Sequence, residues 1–440
     1  MEDNAQPPHR PGGGASHPDR SSGVDPNAGP AEAADSGFSV RRSSELLRRI
    51  RRSEALIDAR PGLYFTGYER IGGYPVFIDR AKGAKLKDVD GNIYTDYLLG
   101  FGSVVLGHAD VRVNAAVVAA LERGVNPSLL DRSHLELAER MVELVPAADC
   151  VTFLKTGSDA VDAAVRLARA VTGRQRVLHY GYHGWHDWCS ASPGVPPAGK
   201  TLLHSLRYNA PEDAEALFAA HPGEIACVVM MPYEIEAPAP GYLQAMRAIA
   251  HRHGALFILD EVRSGFRIGL GGAQTHFDVT PDLTAFGKAM ANGHAISALA
   301  GRREIMARIL DLGLTVTYFR SPDAMAAAMA TLETLEQDDV PARLALLGAR
   351  LMAGLDEAAH QTGTPARAVG LPATPFLRFE HAREADRDKA IRLFCNAMLS
   401  QGHLMTPAHH WFVCAAMREA DIDQTVQAAR QAFQMLQRML

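Results

Sequence analysis

Cysteine is scarce in this chain of 440 residues: there are five, and no two of them form a CxxC pair. An odd, scattered set is not typical of a disulfide framework and favours a reducing compartment. No apolar run reaches the roughly 18 to 20 residues that span a bilayer, and the N-terminus lacks the apolar stretch of a signal peptide. These absences predict a soluble, cytoplasmic protein with no membrane association.

An excess of positive charge is also absent, because 45 Lys and Arg face 50 Asp and Glu, for a formal net charge of −5. This balance gives no argument for nucleic-acid binding. Histidine pairs such as His183 and His186 lack the Cys or carboxylate pattern of a metal site, so we predict no metal. What the chain does have is 47% hydrophobic residues, enough for a large core in two or three domains.

The N-terminal part of the chain changes character twice. Residues 1–36 are rich in Pro, Gly, Ala and Ser, which predicts a disordered extension. Residues 43–59 carry leucines at helical spacing and four arginines, which favours an amphipathic helix docked on the body over a nucleic-acid arm. From Val76, alternating residues around an Asp-Gly turn predict an antiparallel meander. We assign residues 37–100 to this helix and meander, as part of a small domain.

The centre of the chain alternates between short apolar runs and helix-period segments. The runs CVTFL, RVLHY, IACVVMM, ALFILD and LTAF have the composition of buried parallel strands. The predicted fold class is α/β, with a mostly parallel sheet flanked by helices in a large domain over residues 101–330. Residues 331–440 are mainly helical with two predicted strands, TPFLRFE and WFVCAAM, and complete a smaller α/β domain built from both chain ends.

Three polar positions lie where predicted strands end, the edge at which open α/β sheets bind ligands. Gly157 and Ser158 follow CVTFL and begin a helix, where free amides favour an anion, although such a pair is more often a simple cap. Asp260 ends ALFILD, where it suits a cap or a metal ligand as well as an organic cofactor. Lys288 follows LTAF. A lone lysine there is usually on the surface, whereas a buried one supplies the neutral amine that imine formation needs.

In this combination the chain resembles the class III aminotransferases, the fold-type I pyridoxal-phosphate enzymes, and within them the glutamate-1-semialdehyde 2,1-aminomutase branch. The resemblance runs from about residue 63 to the C-terminus. It rests on the segments DVDGNIYTDY, VLGHAD, KTGSDAVDAAVRLARAVTGR, GYHGWHDW, GALFILDEVRSGFR, PDLTAFGKAMANG and DIDQTVQAARQAF. It implies pyridoxal 5'-phosphate as the cofactor, a small-molecule amino donor and carbonyl acceptor, and a homodimer with shared active sites.

The resemblance also implies roles for residues around the cofactor ring. Lys288 matches the Schiff-base lysine, which also moves a proton between the substrate carbon and the cofactor. Asp260 matches the carboxylate that keeps the pyridine nitrogen protonated, so that the ring accepts electrons. Val262 and Tyr182 match the residues that cover the two faces of the ring.

Further matches concern the phosphate and the phenolic oxygen of the cofactor. Gly157 and Ser158 match the phosphate cradle. Thr317 matches the threonine that reaches the phosphate of the neighbouring subunit, and Glu236 falls where family members carry Asn or Glu near the phenolic oxygen. Met231-Pro232 replaces the usual Glu-Pro, a local change without an evident reason in the sequence.

The substrate-binding positions depart from the aminomutase branch. Thr66 stands where that branch has an arginine for the substrate carboxylate. Arg70 either supplies this contact from a shifted position or is a solvated loop residue. His409, His410 and Trp411 stand where the branch has a glutamate. The two changes together argue against glutamate-1-semialdehyde as the substrate.

The leading hypothesis is an aminotransferase that works in two ping-pong half-reactions on another substrate. An intramolecular aminomutase, or an amino-acid racemase or epimerase, begins with the same proton abstraction, so Lys288 and Asp260 do not distinguish between these reactions. A catalytically silent cofactor-binding or scaffold protein is the alternative outside the enzymes.

Overall fold

A computed structural model describes residues 39–53 and 77–438 of the chain, apart from residues 191, 316 and 408. Its strands are β1 Ile78–Lys82, β2 Lys85–Asp88, β3 Ile93–Asp96, β4 Cys150–Leu154, β5 Arg176–Tyr180, β6 Leu203–Ser205, β7 Ile225–Met230, β8 Leu256–Asp260, β9 Leu283–Phe286, β10 Ser297–Gly301, β11 Ala366–Leu371, β12 Thr374–Phe379 and β13 His403–Leu404. Its α-helices are α1 Arg41–Ile50, α2 Leu99–Gly102, α3 Val111–Arg123, α4 Arg132–Leu144, α5 Gly157–Thr172, α6 Pro197–Lys200, α7 Pro211–Ala220, α8 Tyr242–Arg252, α9 Gly272–His276, α10 Arg303–Met306, α11 Pro322–Gln337, α12 Val340–Gln361, α13 Glu384–Ser400 and α14 Glu419–Gln437.

Strands β4 to β10 form one sheet of seven, in the order β4-β10-β9-β8-β7-β5-β6. Strands β6, β5, β7, β8 and β9 run parallel, while β10 is antiparallel to both of its neighbours. The prediction of an α/β fold with a mostly parallel sheet is confirmed, and each of the five apolar runs forms a strand.

Helices cover both faces of this sheet because successive strand residues point to opposite sides. In β7, Cys227 and Val229 pack with helix α5 on one face. Val228 and Met230 pack with helices α7 and α8 on the other. None of the described helices combines the length and the apolar composition that crossing a membrane requires.

The parallel strands end at a common edge of the sheet. Strand β4 ends there too, because it is antiparallel to β10, which is antiparallel to β9. Asp260 is the last residue of β8, and Lys288 follows shortly after β9. Gly157 begins the helix that follows β4. The three polar positions singled out in the sequence therefore lie at the edge where such sheets bind ligands.

The predicted meander forms three antiparallel strands, β1 to β3. Strand β13, from the C-terminal part of the chain, extends this sheet by pairing in parallel with β3. The predicted strand TPFLRFE is β12, which forms a hairpin with β11.

A strand over WFVCAAM, residues 411–417, was also predicted, and this prediction is wrong. Most of the segment is buried, but its backbone bonds go to different parts of the chain. The N–H of Trp411 donates to the carbonyl of Pro375, and the N–H of Phe412 donates to that of Tyr97. Because consecutive residues bond to two separate segments, no strand ladder forms.

The N-terminal extension, residues 1–36, lies outside the described residues, as does the second half of the helix predicted over residues 43–59. The first half is α1, whose N–H groups at Arg42 and Ser43 both donate to the carboxylate of Asp90. These bonds fix the start of the helix to the meander.

Candidate active site

Asp260 and His183 form a buried pair at the carboxyl edge of the sheet. The Asp260 Oδ2 atom lies 2.7 Å from His183 Nδ1, and Asp260 Oδ1 accepts from the backbone N–H of Val262 at 3.1 Å. The His183 ring is stacked on Trp188, with the ring centroids 5.8 Å apart. Both carboxylate oxygens are thus held in place. Among the described residues, no group of three or more metal-binding side chains is positioned to hold a metal ion.

Lys288 is half-buried beside this pair and begins a short 3-10 helix. Its φ of 43° lies in the left-handed region, which is strained for a residue other than glycine and is typical of functional positions. Burial and the nearby Arg263 together lower the pKa of Lys288 to about 8, against the opposing effect of Asp260. A substantial share of the side chain is therefore the neutral, nucleophilic amine near physiological pH.

The loop before helix α5 packs closely against the other parts of the site. A Cβ on Gly157 would lie 2.5 Å from Val262 Cγ1, so only glycine fits against this valine. A Cβ on Gly184 would lie 2.1 Å from Ser158 Oγ, which places Ser158 against the loop after β5. Thr156 caps α5, and the first N–H groups of the helix are available to an anion.

Lys155 precedes this loop and is a second lysine in the neighbourhood. Burial lowers its pKa, while Asp323 opposes the change. Its position beside the anion-binding helix start makes it the natural comparison for Lys288 in any test of lysine chemistry.

Tyr182 follows β5 and its side chain is 71% exposed. Its backbone N–H donates to the Met231 sulfur at 3.3 Å, and Met231 itself is buried. A Cβ on Gly181 would lie 2.7 Å from the same sulfur. The Met-Pro sequence, unexplained at the sequence level, therefore has a structural role: its thioether supports the backbone of the Tyr182 loop.

For two further proposed cofactor contacts, Glu236 and Thr317, the structure gives the following partners. Glu236 is 52% exposed, and its carboxylate pairs with Arg378 and lies 3.8 Å from Arg367. The described contacts of its side chain are thus with surface arginines. Thr317 is exposed, and its backbone carbonyl accepts a hydrogen bond from Asn126 at 3.3 Å.

The histidines of the C-terminal segment lie near the lysine, as their pKa values reflect. Burial, with smaller contributions from Lys288 and Arg263, lowers the pKa of His409 to about 4. Burial and Arg263 hold the pKa of His410 well below its ordinary value. Both rings are therefore neutral near physiological pH.

Trp411, by contrast, belongs to the core. Its side chain has 0% exposure, it packs on Phe394 and Phe376, and its indole N–H donates to the carbonyl of Thr406. This placement corrects its assignment to the substrate pocket, because no face of the ring is open to a ligand. Thr66 and Arg70 lie outside the described residues.

Sequence reasoning missed two residues of the site. One is His183, whose partner is distant in the chain. The other is Arg263, which is buried, bonds to His410 and lies with its guanidinium carbon 4.9 Å from the centre of the Tyr233 ring. A charged residue directly after Val262, in a motif that follows a buried strand, was the available signal, since arginine is rarely buried without a partner.

Comparison with known proteins finds relatives over most of the chain. The family model Aminotransferase class-III matches residues 68–439. The chain is 36% identical over 379 residues to a 3-aminobutyryl-CoA aminotransferase of Cloacimonas acidaminovorans, covering 84% of this chain and 91% of that protein. It is 38% identical over 399 residues to a glutamate-1-semialdehyde 2,1-aminomutase of Thermomicrobium roseum, covering 83% and 92%.

Similarity extends to solved structures. The FumI protein of Sphingopyxis sp. MTA144, in its PLP internal aldimine form, superimposes with a TM-score of 0.83 at 30% identity. The match covers 90% of this chain and 97% of that one.

Proposed function

The chain belongs to the class-III aminotransferases, which depend on pyridoxal phosphate, and from this premise we propose that Lys288 and Asp260 carry its chemistry. The observation that supports this assignment best is the buried Asp260–His183 pair beside a lysine whose pKa is lowered to about 8. A neutral amine and a fixed carboxylate at one sheet edge are what the cofactor requires of its protein.

The residues of the site fit the cofactor in charge and in shape. Gly157 and Ser158 would bind its phosphate through the start of α5, and Asp260 would face its pyridine nitrogen. Val262, which Gly157 leaves room for, would cover one face of its ring, and Tyr182 the other. When bound, pyridoxal phosphate supplies an acceptor for the electron pair left when the substrate carbon loses its proton.

Lys288 would have two tasks in this scheme. As a neutral amine it would attach the cofactor covalently, which its lowered pKa favours. After the substrate amine displaces it, the released Lys288 amine would take the proton from the substrate carbon and return it elsewhere. His183 would keep the Asp260 carboxylate oriented throughout. These tasks are common to transfer, mutase and racemase reactions.

Intermolecular transfer of the amino group, in two ping-pong half-reactions, is the outcome we favour. His409 and His410, neutral and close to Lys288, occupy the place where the aminomutase branch has a glutamate. We therefore propose that glutamate-1-semialdehyde is not the substrate, although one relative is named as its aminomutase. A mutase or racemase remains the second candidate, and a catalytically silent cofactor-binding protein the third.

A panel of amino donors, with mass spectrometry of the products, separates these candidates. For transfer, each donor should yield its free keto or aldehyde product while the cofactor absorbance changes, and an added keto acid should reverse that change. Isomerised or racemised amine without free carbonyl product would favour the second candidate. A protein that binds pyridoxal phosphate but converts none of the donors would favour the third.

We further propose a homodimer in which Thr317 contacts the cofactor phosphate of the neighbouring subunit. Its exposed position supports this proposal. Thr317→Ala should then raise the dissociation constant of the cofactor without changing the sedimentation of the dimer, whereas unchanged affinity would count against the contact.

We propose in addition that Glu236 contacts the phenolic oxygen of the cofactor. This contact would require Arg378 to release the Glu236 carboxylate. Glu236→Gln should change the cofactor spectrum if that contact forms.

The division into a large domain over residues 101–330 and a small one over residues 37–100 and 331–440 also remains our proposal. The pairing of β13 with β3 supports it, because it joins the two ends of the chain in one sheet.

We also propose a cytoplasmic location, which is supported by five cysteines that form no disulfide.

A further inference from the structure

Arg263 is a buried cation whose hydrogen bonds are incomplete. Its side chain is only 7% exposed. One terminal nitrogen donates to His410 Nδ1 at 3.1 Å, and the other donates to the backbone carbonyl of Tyr233. Its Nε–H has no acceptor among the described residues. A buried N–H without an acceptor is expensive, and it is retained where a ligand completes it.

The positive charge of Arg263 also has no ion-pair partner. In the described part of the chain no carboxylate forms an ion pair with its guanidinium. The charges of Glu234 and Asp260 favour the cation, but Asp260 pairs with His183, and Glu234 accepts from the Tyr180 hydroxyl at 3.1 Å. A histidine is neutral or positive, so His410 supplies no counter-charge. A buried cation without an ion-pair partner is costly, and such groups are concentrated at functional sites.

Arg267, one turn later, is also buried, and its Nε–H likewise has no acceptor among the described residues. It differs in its terminal nitrogens, which both donate to backbone carbonyls, those of Val413 and Gly102, at 2.9 and 2.7 Å. These bonds join two chain segments, which is a structural role. Arg263 instead directs one nitrogen to a histidine ring that itself lies close to Lys288.

The contact with His410 orients the guanidinium. One terminal nitrogen of Arg263 lies 3.1 Å from Nδ1 and 3.5 Å from Nε2 of the imidazole ring. The free Nε–H and a terminal nitrogen of a guanidinium lie in one plane and match the two oxygens of a carboxylate.

We propose that Arg263, oriented by His410, binds a carboxylate of the substrate next to Lys288. This inference rests on the proposed aminotransferase function and narrows its substrate class to amines that carry a carboxylate and to the corresponding keto or aldehyde acids. The guanidinium is held in advance by Tyr233 and His410, so that the incoming anion supplies the missing acceptor and the missing charge.

The direct test measures binding of propionate and of propionamide, its neutral counterpart, to the holoenzyme by calorimetry. Wild-type enzyme should bind propionate at least about tenfold more tightly, as expected for a charge-assisted hydrogen bond. Arg263→Met should remove this difference while propionamide binding stays unchanged, and Arg263→Lys should restore part of it. Equal binding of the two probes by the wild type would overturn the proposal.

Turnover provides the second readout. Alanine and β-alanine are compared with ethylamine, which lacks their carboxylate, and the ratio of kcat/KM values is taken within each variant. A partly unfolded sample lowers all three values together, so the ratio is insensitive to misfolding. The ratio should fall about tenfold or more in Arg263→Met, mainly through KM, and should be unchanged in Arg267→Lys. Loss of the preference in Arg70→Met with retention in Arg263→Met would also overturn the proposal.

Failure of this inference is distinguishable from failure of the proposed function. Every variant is treated with borohydride to measure covalently attached cofactor. If the cofactor is attached but the enzyme shows no preference for carboxylates, only the role of Arg263 is contradicted. If Arg263→Met instead loses the cofactor, the arginine serves cofactor binding and the substrate assignment is wrong. If wild-type enzyme attaches no cofactor, the proposed function itself fails.

Discussion

The carboxylate of Asp260 and the imidazole of His183 lie 2.7 Å apart, and both side chains are buried. The acid is therefore held by a ring that follows β5, two strands away from its own strand β8 in the sheet. The orientation of the carboxylate that we propose to face the cofactor thus depends on a residue that does not need to touch the cofactor itself.

Replacing His183 should loosen this carboxylate. In His183→Phe we expect the cofactor to bind about tenfold more weakly, because a charge-assisted hydrogen bond to Asp260 is lost. His183→Gln, which retains a donor, should recover part of the affinity. A spectroscopic cofactor titration measures the effect, together with the pH at which the absorbance of the bound cofactor changes. If the phenylalanine variant matches wild type in both, the ring has no positioning role.

The pH dependence of cofactor capture should follow Lys288. Its pKa is lowered to about 8, and only the neutral amine attacks a carbonyl. At saturating cofactor the rate of covalent capture by the apoenzyme should rise about tenfold per pH unit below this value and level off above it. Stopped-flow absorbance measures the rate. In Arg263→Met the pH at which the capture rate stops rising should be higher, since the Arg263 cation lowers the pKa of Lys288. A wild-type rate that still rises near the ordinary lysine pKa of about 10.4 would contradict this reading.

Gly157 and Val262 should be coupled in a double-mutant cycle. A methyl group on Gly157 would overlap Val262, so Gly157→Ala should lower the free energy of unfolding by about 1–3 kcal/mol and weaken cofactor binding. Combining it with Val262→Ala should recover part of this loss, because the smaller side chain makes room. Chemical denaturation of the four proteins gives the coupling. Simple additivity of the two changes would mean that they do not contact each other.

Trp411 should behave as a core residue. Trp411→Ala should lower the free energy of unfolding by about 3–5 kcal/mol. Trp411→Phe should lower it less and should leave KM for donor and acceptor unchanged, because the indole is enclosed by Phe394 and Phe376. If Trp411→Phe had normal stability but a KM changed several-fold, the result would indicate that Trp411 lines the substrate pocket after all.

The strands of the central sheet could be predicted because buried parallel strands are continuous apolar runs. Strand β10, Ser297–Gly301, was not predicted, since its small residues carry no periodic pattern. The opposite error arose at residues 411–417, which are apolar and buried but bond to separate segments. Burial can be read from composition, whereas the partner of each backbone group depends on the tertiary fold.

The same limit applies to the site. Asp260 and Lys288 could be singled out because each follows an apolar strand, and their role as a pair came from the family resemblance. His183 and Arg263 depend on contacts across the sequence, and so they became visible only in the structure. Glu236 was assigned to the cofactor by the family resemblance, whereas its pairing with Arg378 depends on the tertiary fold and could not be predicted.

The most direct test of the central claim is reduction of the holoenzyme with borohydride, followed by proteolysis and mass spectrometry of the lysine-bearing peptides. The mass of the reduced cofactor should be found on Lys288. It should be absent from Lys288→Ala and retained in Lys155→Ala, the matched control at the neighbouring half-buried lysine. Cofactor mass on Lys155, or on no lysine at all, would contradict the assignment of Lys288.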